Sequence, residues 1–409
     1  MKNVPELRFD GFDGEWEEVK FETIANIVRG ASPRPIADER WFDKNSDVGW
    51  LRISDVTNQN GRIHELEQKL SLDGQEKTRV YKTPHLILSI AASVGKPVIN
   101  YINTGVHDGF LIFEDPIFNL EFMFQLLDKI QLTWSKYGQP GSQVNLNSEI
   151  VKNRKIHIPS FDEQNKNGEL FKKIDALIEI QEDKVSKMED FKKSMLQKMF
   201  PKKDKLIPEF RFDGFNEEYK EVYLTDIGKN IKGMSYSKKD VDNEKGGSEF
   251  IHYGMMFTDY ASLITDSIYK VVDKPNSVKS KVGDLIMPAS STTSDNDIVS
   301  ASAVAKDGII YGGDINIIRT NDIDLAVYLS YYITGTELKN LIFKNVEGTT
   351  IHHLYFKSLK NITVKLPPME EQKMINKLFI NIDKRILKEE KLLDSYKLMK
   401  KSLLQKMFV

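Results

Sequence analysis

Cysteine is absent from the 409-residue chain, which excludes disulfides and thiolate metal sites and fits a reducing compartment. Long apolar runs are absent too: no stretch approaches the roughly 20 residues that a membrane helix needs. The opening Met1-Lys2-Asn3-Val4-Pro5-Glu6 has no apolar stretch behind its lysine, so no secretory signal is expected and a cytoplasmic protein is the default. Excess charge of either sign is also lacking. Lys+Arg number 58 against 60 Asp+Glu, a net charge of -2, which argues against non-specific coating of nucleic acid by this chain alone. A basic face remains compatible with neutrality, because charge acts locally within about 8–10 Å.

Catalytic signatures are equally scarce. Gly95-Lys96 lacks the upstream glycine of a phosphate loop and continues into Pro97. No His-Glu-x-x-His zinc signature occurs among the seven histidines. His352 and His353 stand side by side, which on a strand points them to opposite faces, so no metal site is expected there. There is no glycine fingerprint for a dinucleotide or for S-adenosylmethionine. Nor is there an acidic or amide residue followed by Pro-Pro-aromatic, the signature of amino-methyltransferases acting on exocyclic base nitrogens. The expectation is a chain with no catalytic residue and no metal.

What is present is a repeat. Val4-Pro5-Glu6-Leu7-Arg8-Phe9-Asp10-Gly11-Phe12 returns as Ile207-Pro208-Glu209-Phe210-Arg211-Phe212-Asp213-Gly214-Phe215, at an offset of 203. Ile158-Pro159-Ser160-Phe161-Asp162-Glu163-Gln164 returns as Leu366-Pro367-Pro368-Met369-Glu370-Glu371-Gln372, and Lys193-Ser194-Met195-Leu196-Gln197-Lys198-Met199-Phe200 as Lys401-Ser402-Leu403-Leu404-Gln405-Lys406-Met407-Phe408, both at 208. Three matches in order define two copies of one unit of about 200 residues, with about five extra residues inside the second globular part. Each Pro…Glu-Gln opens a helix with a heptad seam. Phe171, Ile178, Val185 and Met199, with Ile174, Met188 and Met195, fill the seam of the first, and Phe379, Ile386, Leu393 and Met407, with Ile382, Tyr396 and Leu403, fill the same slots in the second. Polar residues fall at equivalent seam positions, Gln181 with Glu389 and Lys192 with Lys400, a pattern that fixes register at some cost in stability. A helix over residues 163–199 would be about 55 Å long. Pro201 ends it and begins a short charged link.

The globular parts, roughly 15–157 and 218–365, read as mixed strands and helices in the same order. Short apolar runs at 48–53, 86–90 and 109–113 have counterparts at 249–253, 284–287 and 308–311. A helix follows in each copy, at 121–127 and at 326–332. A Gly-polar turn then leads into the last strand. The fold class is therefore α/β (mixed α+β), with two domains separated by two long helices packed as an antiparallel coiled coil. The expected boundaries are 1–157, 158–203, 204–365 and 366–409. Two domains of one fold with different surfaces suit two related but different ligands.

The paired Pro…Glu-Gln motifs, the heptad helices, the Leu-Leu-Gln-Lys-Met-Phe ending and the repeated Pro-Glu-Leu-Arg-Phe opening together resemble the specificity subunit of a Type I restriction–modification system. The resemblance spans essentially the whole chain. It implies that residues 1–157 and 204–365 are target-recognition domains, each reading one half of a bipartite, asymmetric DNA site. It implies that the helices of 158–203 and 366–409 fix the unread spacer and dock two methyltransferase subunits that methylate adenine N6. Restriction subunits join the full complex. S-adenosylmethionine, ATP and Mg would belong to those partners, and this chain would bind no cofactor and perform no chemistry. A bivalent protein-binding scaffold on a coiled-coil stalk is the alternative from another class.

Base edges are read by Arg, Lys, Asn, Gln, Ser and Thr on loops that enter a groove. In the first domain the candidates are Arg29, Ser32 and Arg34, then Arg52, Ser54 and Asp55, then Ser93, Lys96, Gln139, Ser142 and Gln143. In the second they are Lys232, Tyr236, Ser237 and Lys238, then His252 and Tyr253, then Ser290, Ser291, Thr292, Thr293 and Ser294, with Thr349, Thr350 and His352. The hydroxyl-rich run at Ser290 is favoured because it reads as a loop with no packing role. Each of these residues also has an ordinary reading as an exposed loop position.

Overall fold

A computed structural model describes residues 3–82, 84–91, 94–137, 146–236, 240–241, 247–258, 260–292 and 296–409. The chain divides into two compact units, Met1–Glu182 with Leu392–Val409, and Asp183–Lys391. The long helices, Phe161–Met199 and Met369–Met407, each contribute to both units.

The first unit contains β1 (Glu17–Lys20), β2 (Asn26–Arg29), β3 (Gly49–Leu51), β4 (Arg62–Ile63), β5 (Arg79–Tyr81), β6 (Leu86–Ser89), β7 (Pro97–Asn100), β8 (Thr104–Val106), β9 (Phe110–Glu114) and β10 (Lys155–Ile158). A five-stranded sheet runs β2-β9-β6-β7-β4, a smaller one β3-β8-β5, and β1 pairs with β10. Because strand side chains alternate, the central strands bury both faces. Leu86, Leu88, Leu111 and Phe113 pack with Phe122, Met123 and Leu127 of the helix Leu120–Ile130. Ile87, Val98, Phe110 and Ile112 pack with Leu51 and Val106 of the smaller sheet.

The second unit repeats this plan with β11 (Lys220–Tyr223), β12 (Lys229–Lys232), β13 (Ser248–Ile251), β14 (Leu263–Ile264), β15 (Lys270–Val271), β16 (Asp284–Pro288), β17 (Ser290–Ser291), β18 (Ser302–Val304), β19 (Ile310–Tyr311), β20 (Ile315–Arg319), β21 (His352–His353) and β22 (Thr363–Leu366). Its large sheet runs β12-β20-β16-β18-β14, and the helix Ile323–Gly335 takes the place of Leu120–Ile130. Leu285, Met287 and Ile318 face that helix, while Ile286, Val304 and Ile317 face Ile251 and Tyr311. Both edges of the small sheet differ. Among the described residues, β15 flanks β13 where the first unit has a Gly49–Lys69 bridge, and β5 flanks β8 where the second has a Lys279–Ile310 bridge.

The repeated motifs meet one another. Arg8 grips Glu163 through Nε at 2.8 Å and Nη2 at 2.7 Å, and Arg211 grips Glu371 through the same atoms at 2.8 Å each. Both carboxylates are buried. Gln164 and Gln372 donate to the carbonyls of Pro159 and Pro367, each at 2.9 Å. The opening segments also hydrogen-bond the ends of the long helices: Leu7 N donates to Lys406 O in the first unit, and Phe210 N to Lys198 O in the second. The terminal phenylalanines complete aromatic clusters, Phe408 with Trp16, Phe122 and Phe171, and Phe200 with Tyr328, Tyr332 and Phe379.

Within each unit the long helices run antiparallel, as the partner numbers show. Asp175 pairs with Lys400 and Glu182 with Lys397 in the first unit; Lys184 pairs with Glu389 and Lys192 with Asp383 in the second. Every hydrophobic seam residue expected from the heptads is buried or half-buried. The seam lysines are the repeat-equivalent Lys192 and Lys400, and each meets the repeat-equivalent aspartate of the opposite helix. A one-turn slip would strand both pairs, so they specify register.

The Leu120–Ile130 helix is capped by Asn119, whose Oδ1 accepts from Phe122 N at 2.9 Å while its Nδ2 donates to Asn165 at 2.8 Å. Asn119→Ala removes both bonds, and thermal unfolding should report a loss of about 1–2 kcal/mol. A change under a few tenths of that would mean the cap is replaced by solvent.

Candidate nucleic-acid interface

Chain topology brings three loop starts of the first unit to one end of its sheets. β3 runs parallel to β8 with Leu51 opposite Val106, so Arg52 and His107 leave the sheet side by side. β2 pairs with β9, and Gly30 N and Ala31 N donate to Phe110 O and Val106 O. The β6 end joins them through Ile90 N donating to Gly109 O. The hub is Asp108, in the turn between β8 and β9. Ser32 Oγ bonds its Oδ1 at 3.0 Å, Arg34 Nη2 its Oδ2 at 2.7 Å, and Arg29 Nε its carbonyl at 2.7 Å. Burial pushes the Asp108 carboxyl up, but the Ser32 hydroxyl, His107 and the two guanidiniums outweigh it and hold it below the usual carboxylate range. Burial keeps the His107 imidazole below its ordinary value, against the pull of Asp108 and with Arg34 and Arg29 adding to the lowering. Its Nδ1 accepts from Gly109 N at 2.9 Å.

Of the first-unit candidates, Arg29, Ser32 and Arg34 thus share one anchor. Arg52 and Asp55 bind each other, Nη2 to Oδ1 at 3.0 Å, with Asp55 buried and Ser54 exposed beside them. The Asp55 hydrogen bond raises the Arg52 pKa above its already high value. Lys96 is half-buried immediately before β7. Ser93, Gln139, Ser142 and Gln143 lie outside the described residues. His107 and Asp108 were not singled out in the sequence, although the Asp108-Gly109 pair before an apolar run is a turn signal.

The second unit gathers equivalent ends. Gly312 N donates to Ile251 O, Met234 N to Tyr311 O, Ala289 N to Asp314 O and Leu354 N to Ala289 O. This places exposed Lys232, half-buried Tyr253 and buried His252 around the turn between β19 and β20. β17 pairs with β21, joining Ser290 to His353 and Ser291 to His352. Exposed Thr292 continues from β17, and exposed Thr349 and Thr350 lie in the turn closed by Glu347 and His353. Two loops 60 residues apart in sequence are therefore one feature. Ser290, Ser291 and Tyr236 differ from their sequence reading as loop residues. Ser290 and Ser291 are buried strand residues, with Ser290 Oγ 3.0 Å from His353 Nδ1, because the β17–β21 pairing draws the run into the fold. Tyr236 is buried too, its hydroxyl engaged by Ser277 at 2.6 Å and by Lys274 N at 2.8 Å. Ser237, Lys238, Thr293 and Ser294 fall outside the described residues.

Among the described residues no group of three or more His, Asp or Glu is placed to hold a metal ion, and no helix is long and apolar enough to cross a membrane. Two α+β domains with polar strand ends, joined through paired helices, define a two-headed recognition protein. The sequence matches the family described as Type I restriction modification DNA specificity domain over residues 13–190 and again over 216–395. The chain belongs to that family and carries two of its target-recognition domains, one in each half. The specificity subunit of the Type I restriction enzyme MjaVIII of Methanocaldococcus jannaschii is 22% identical, over 91% of this chain and 87% of that protein. The S subunit of a Type I restriction-modification system from M. genitalium matches in structure with a TM-score of 0.65 at 13% identity, covering 99% of each chain. A chain from a structure concerned with complex assembly and conformational transition of the type I R-M system matches with a TM-score of 0.53 at 17% identity, over 96% of this chain and 97% of that one.

Proposed function

We propose that the polar strand ends of the two units are the DNA-reading faces, one for each half of a bipartite, asymmetric site. The observation that carries this reading is the convergence of separate loop starts on one end of each domain, around Asp108 in one and around the β17–β21 pair in the other. Such an end presents several donors together, as base-edge recognition requires. The long helices, each of 39 residues and so about 58 Å long, set the unread spacer and dock two methyltransferase subunits. Those partners bring S-adenosylmethionine and methylate adenine N6, a reaction that needs the base flipped out of the stack and so suits a separate subunit. Restriction subunits of the full complex bring ATP and Mg. This chain reads and positions without catalysing, and acts in the cytoplasm. Its near-zero net charge is compatible with this role because partner subunits supply phosphate contacts.

Gel-shift titration of the chain with its modification subunit, on the bipartite site and on versions scrambled in either half, tests the reading. A double Thr349→Ala, Thr350→Ala variant should lower discrimination in one half-site by about tenfold and leave the other unchanged. Binding without sequence preference, even by the unaltered complex, would instead support a scaffold for protein ligands.

A further inference from the structure

We propose that Arg34 reads a guanine in the half-site of the first unit, held in reading position by Asp108. The proposal rests on the DNA-reading assignment above and sharpens it to one base. Arg34 is 69% exposed, and its partner among the described residues is Asp108 Oδ2 at 2.7 Å through Nη2. An exposed pair of this kind contributes little to stability and restrains a side chain with many rotamers. Here the carboxylate is itself fixed. Ser32 Oγ holds its other oxygen at 3.0 Å, Asp108 N donates back to Ser32 Oγ at 3.1 Å, and Arg29 Nε binds its carbonyl at 2.7 Å. The guanidinium is therefore oriented by a hydrogen-bonded turn, while its remaining N–H groups meet no acceptor among the described residues.

Two ligands suit an oriented guanidinium: a phosphate, or the O6/N7 edge of guanine, the commonest specific arginine contact. The carboxylate decides between them. A phosphate oxygen bonded to Arg34 would sit close to the Asp108 charge and be repelled, at an energy comparable to the attraction it gains. The guanine edge carries only partial negative charge, so the repulsion it meets is much smaller. Asp108 can also accept from the N4 amino group of a neighbouring cytosine.

The test is site selection from a randomised first half-site, using the full chain in complex with its modification subunit, for the unaltered protein and for Arg34→Ala, Arg34→Lys and Asp108→Asn. The unaltered complex should require G·C at one position. Arg34→Ala should relax that position alone, with discrimination falling about 5- to 150-fold. Asp108→Asn should relax the same position less, and selectivity in the second half-site serves as the control for folding. Arg34→Lys should not restore the preference, since an ammonium lacks the two-pronged edge. The proposal is overturned if no G·C position exists in the first half-site. It is also overturned if Arg34→Ala weakens all sequences equally while the slope of log K against log salt falls by about one, the mark of a phosphate contact. In both cases selective binding by the unaltered complex would leave the DNA-reading assignment standing; its loss would remove that assignment instead.

Discussion

Arg211→Met should destabilise the second unit by about 3–5 kcal/mol, because it strands a buried carboxylate. Glu371 is fully buried and takes both of its arginine hydrogen bonds from Arg211, with Tyr219 donating a third at 3.0 Å. The same arginine uses Nη1 on the carbonyl of Glu217 at 2.7 Å, which ties the opening segment into the clasp. For a unit of this size the loss corresponds to a melting shift of roughly 6–20 °C. The double variant Arg211→Met, Glu371→Leu should recover most of the loss, since well-packed apolar groups often replace a buried pair at little cost. Calorimetry on both proteins checks this. Equal destabilisation by the single and double variants would show that the segment is held by packing and not by charge. The first unit offers an internal comparison, because Trp16 stands where the second has Tyr219 and Glu163 has no phenol donor among the described residues. Arg8→Met should therefore cost at least as much as Arg211→Met.

That clasp also explains why the repeat was visible. Arg8 with Glu163 and Arg211 with Glu371 are distant in sequence, yet each lies in a short motif that must keep its partner, so both copies preserve them. Heptads are local patterns, and the seam from Phe171 to Leu403 follows from spacing alone. The helix expected over 163–199 starts two residues earlier, at Phe161, where the chain leaves Pro159 and Ser160. The proposed reading faces depend on strand pairing instead. Nothing in the sequence near Arg34 indicates that β3 and β8 run parallel and deliver Asp108 beside it. The same holds for Ser290, whose hydroxyl-rich surroundings resemble a loop until His353, 63 residues away, pairs with it. Tyr236 shows a related limit, since a phenol looks equally polar whether it faces solvent or Ser277.

Lengthening both long helices should change which DNA spacer is accepted, and the unit boundaries say where to cut. The chain passes from one unit to the other between Glu182 and Asp183 and again between Lys391 and Leu392. Four residues inserted at each point leave the ion pairs of each unit intact, because Asp175–Lys400 and Glu182–Lys397 lie within the first, and Lys184–Glu389 and Lys192–Asp383 within the second. A four-residue insertion is a stutter, which a heptad seam absorbs by local unwinding. The added length is about 6 Å, close to two base pairs at roughly 3.4 Å each. On the original site the altered protein can then engage only one half at a time, and the avidity lost is on the order of 100-fold or more. A site with one or two extra spacer base pairs should recover it. Insertion in the first helix alone forces a bulge against an unlengthened partner and should shift the preference less. Gel-shift titration over a ladder of spacer lengths measures all three proteins. An optimum that stays at the original spacer, with both halves still read, would mean that the helices connect the two heads without setting their distance.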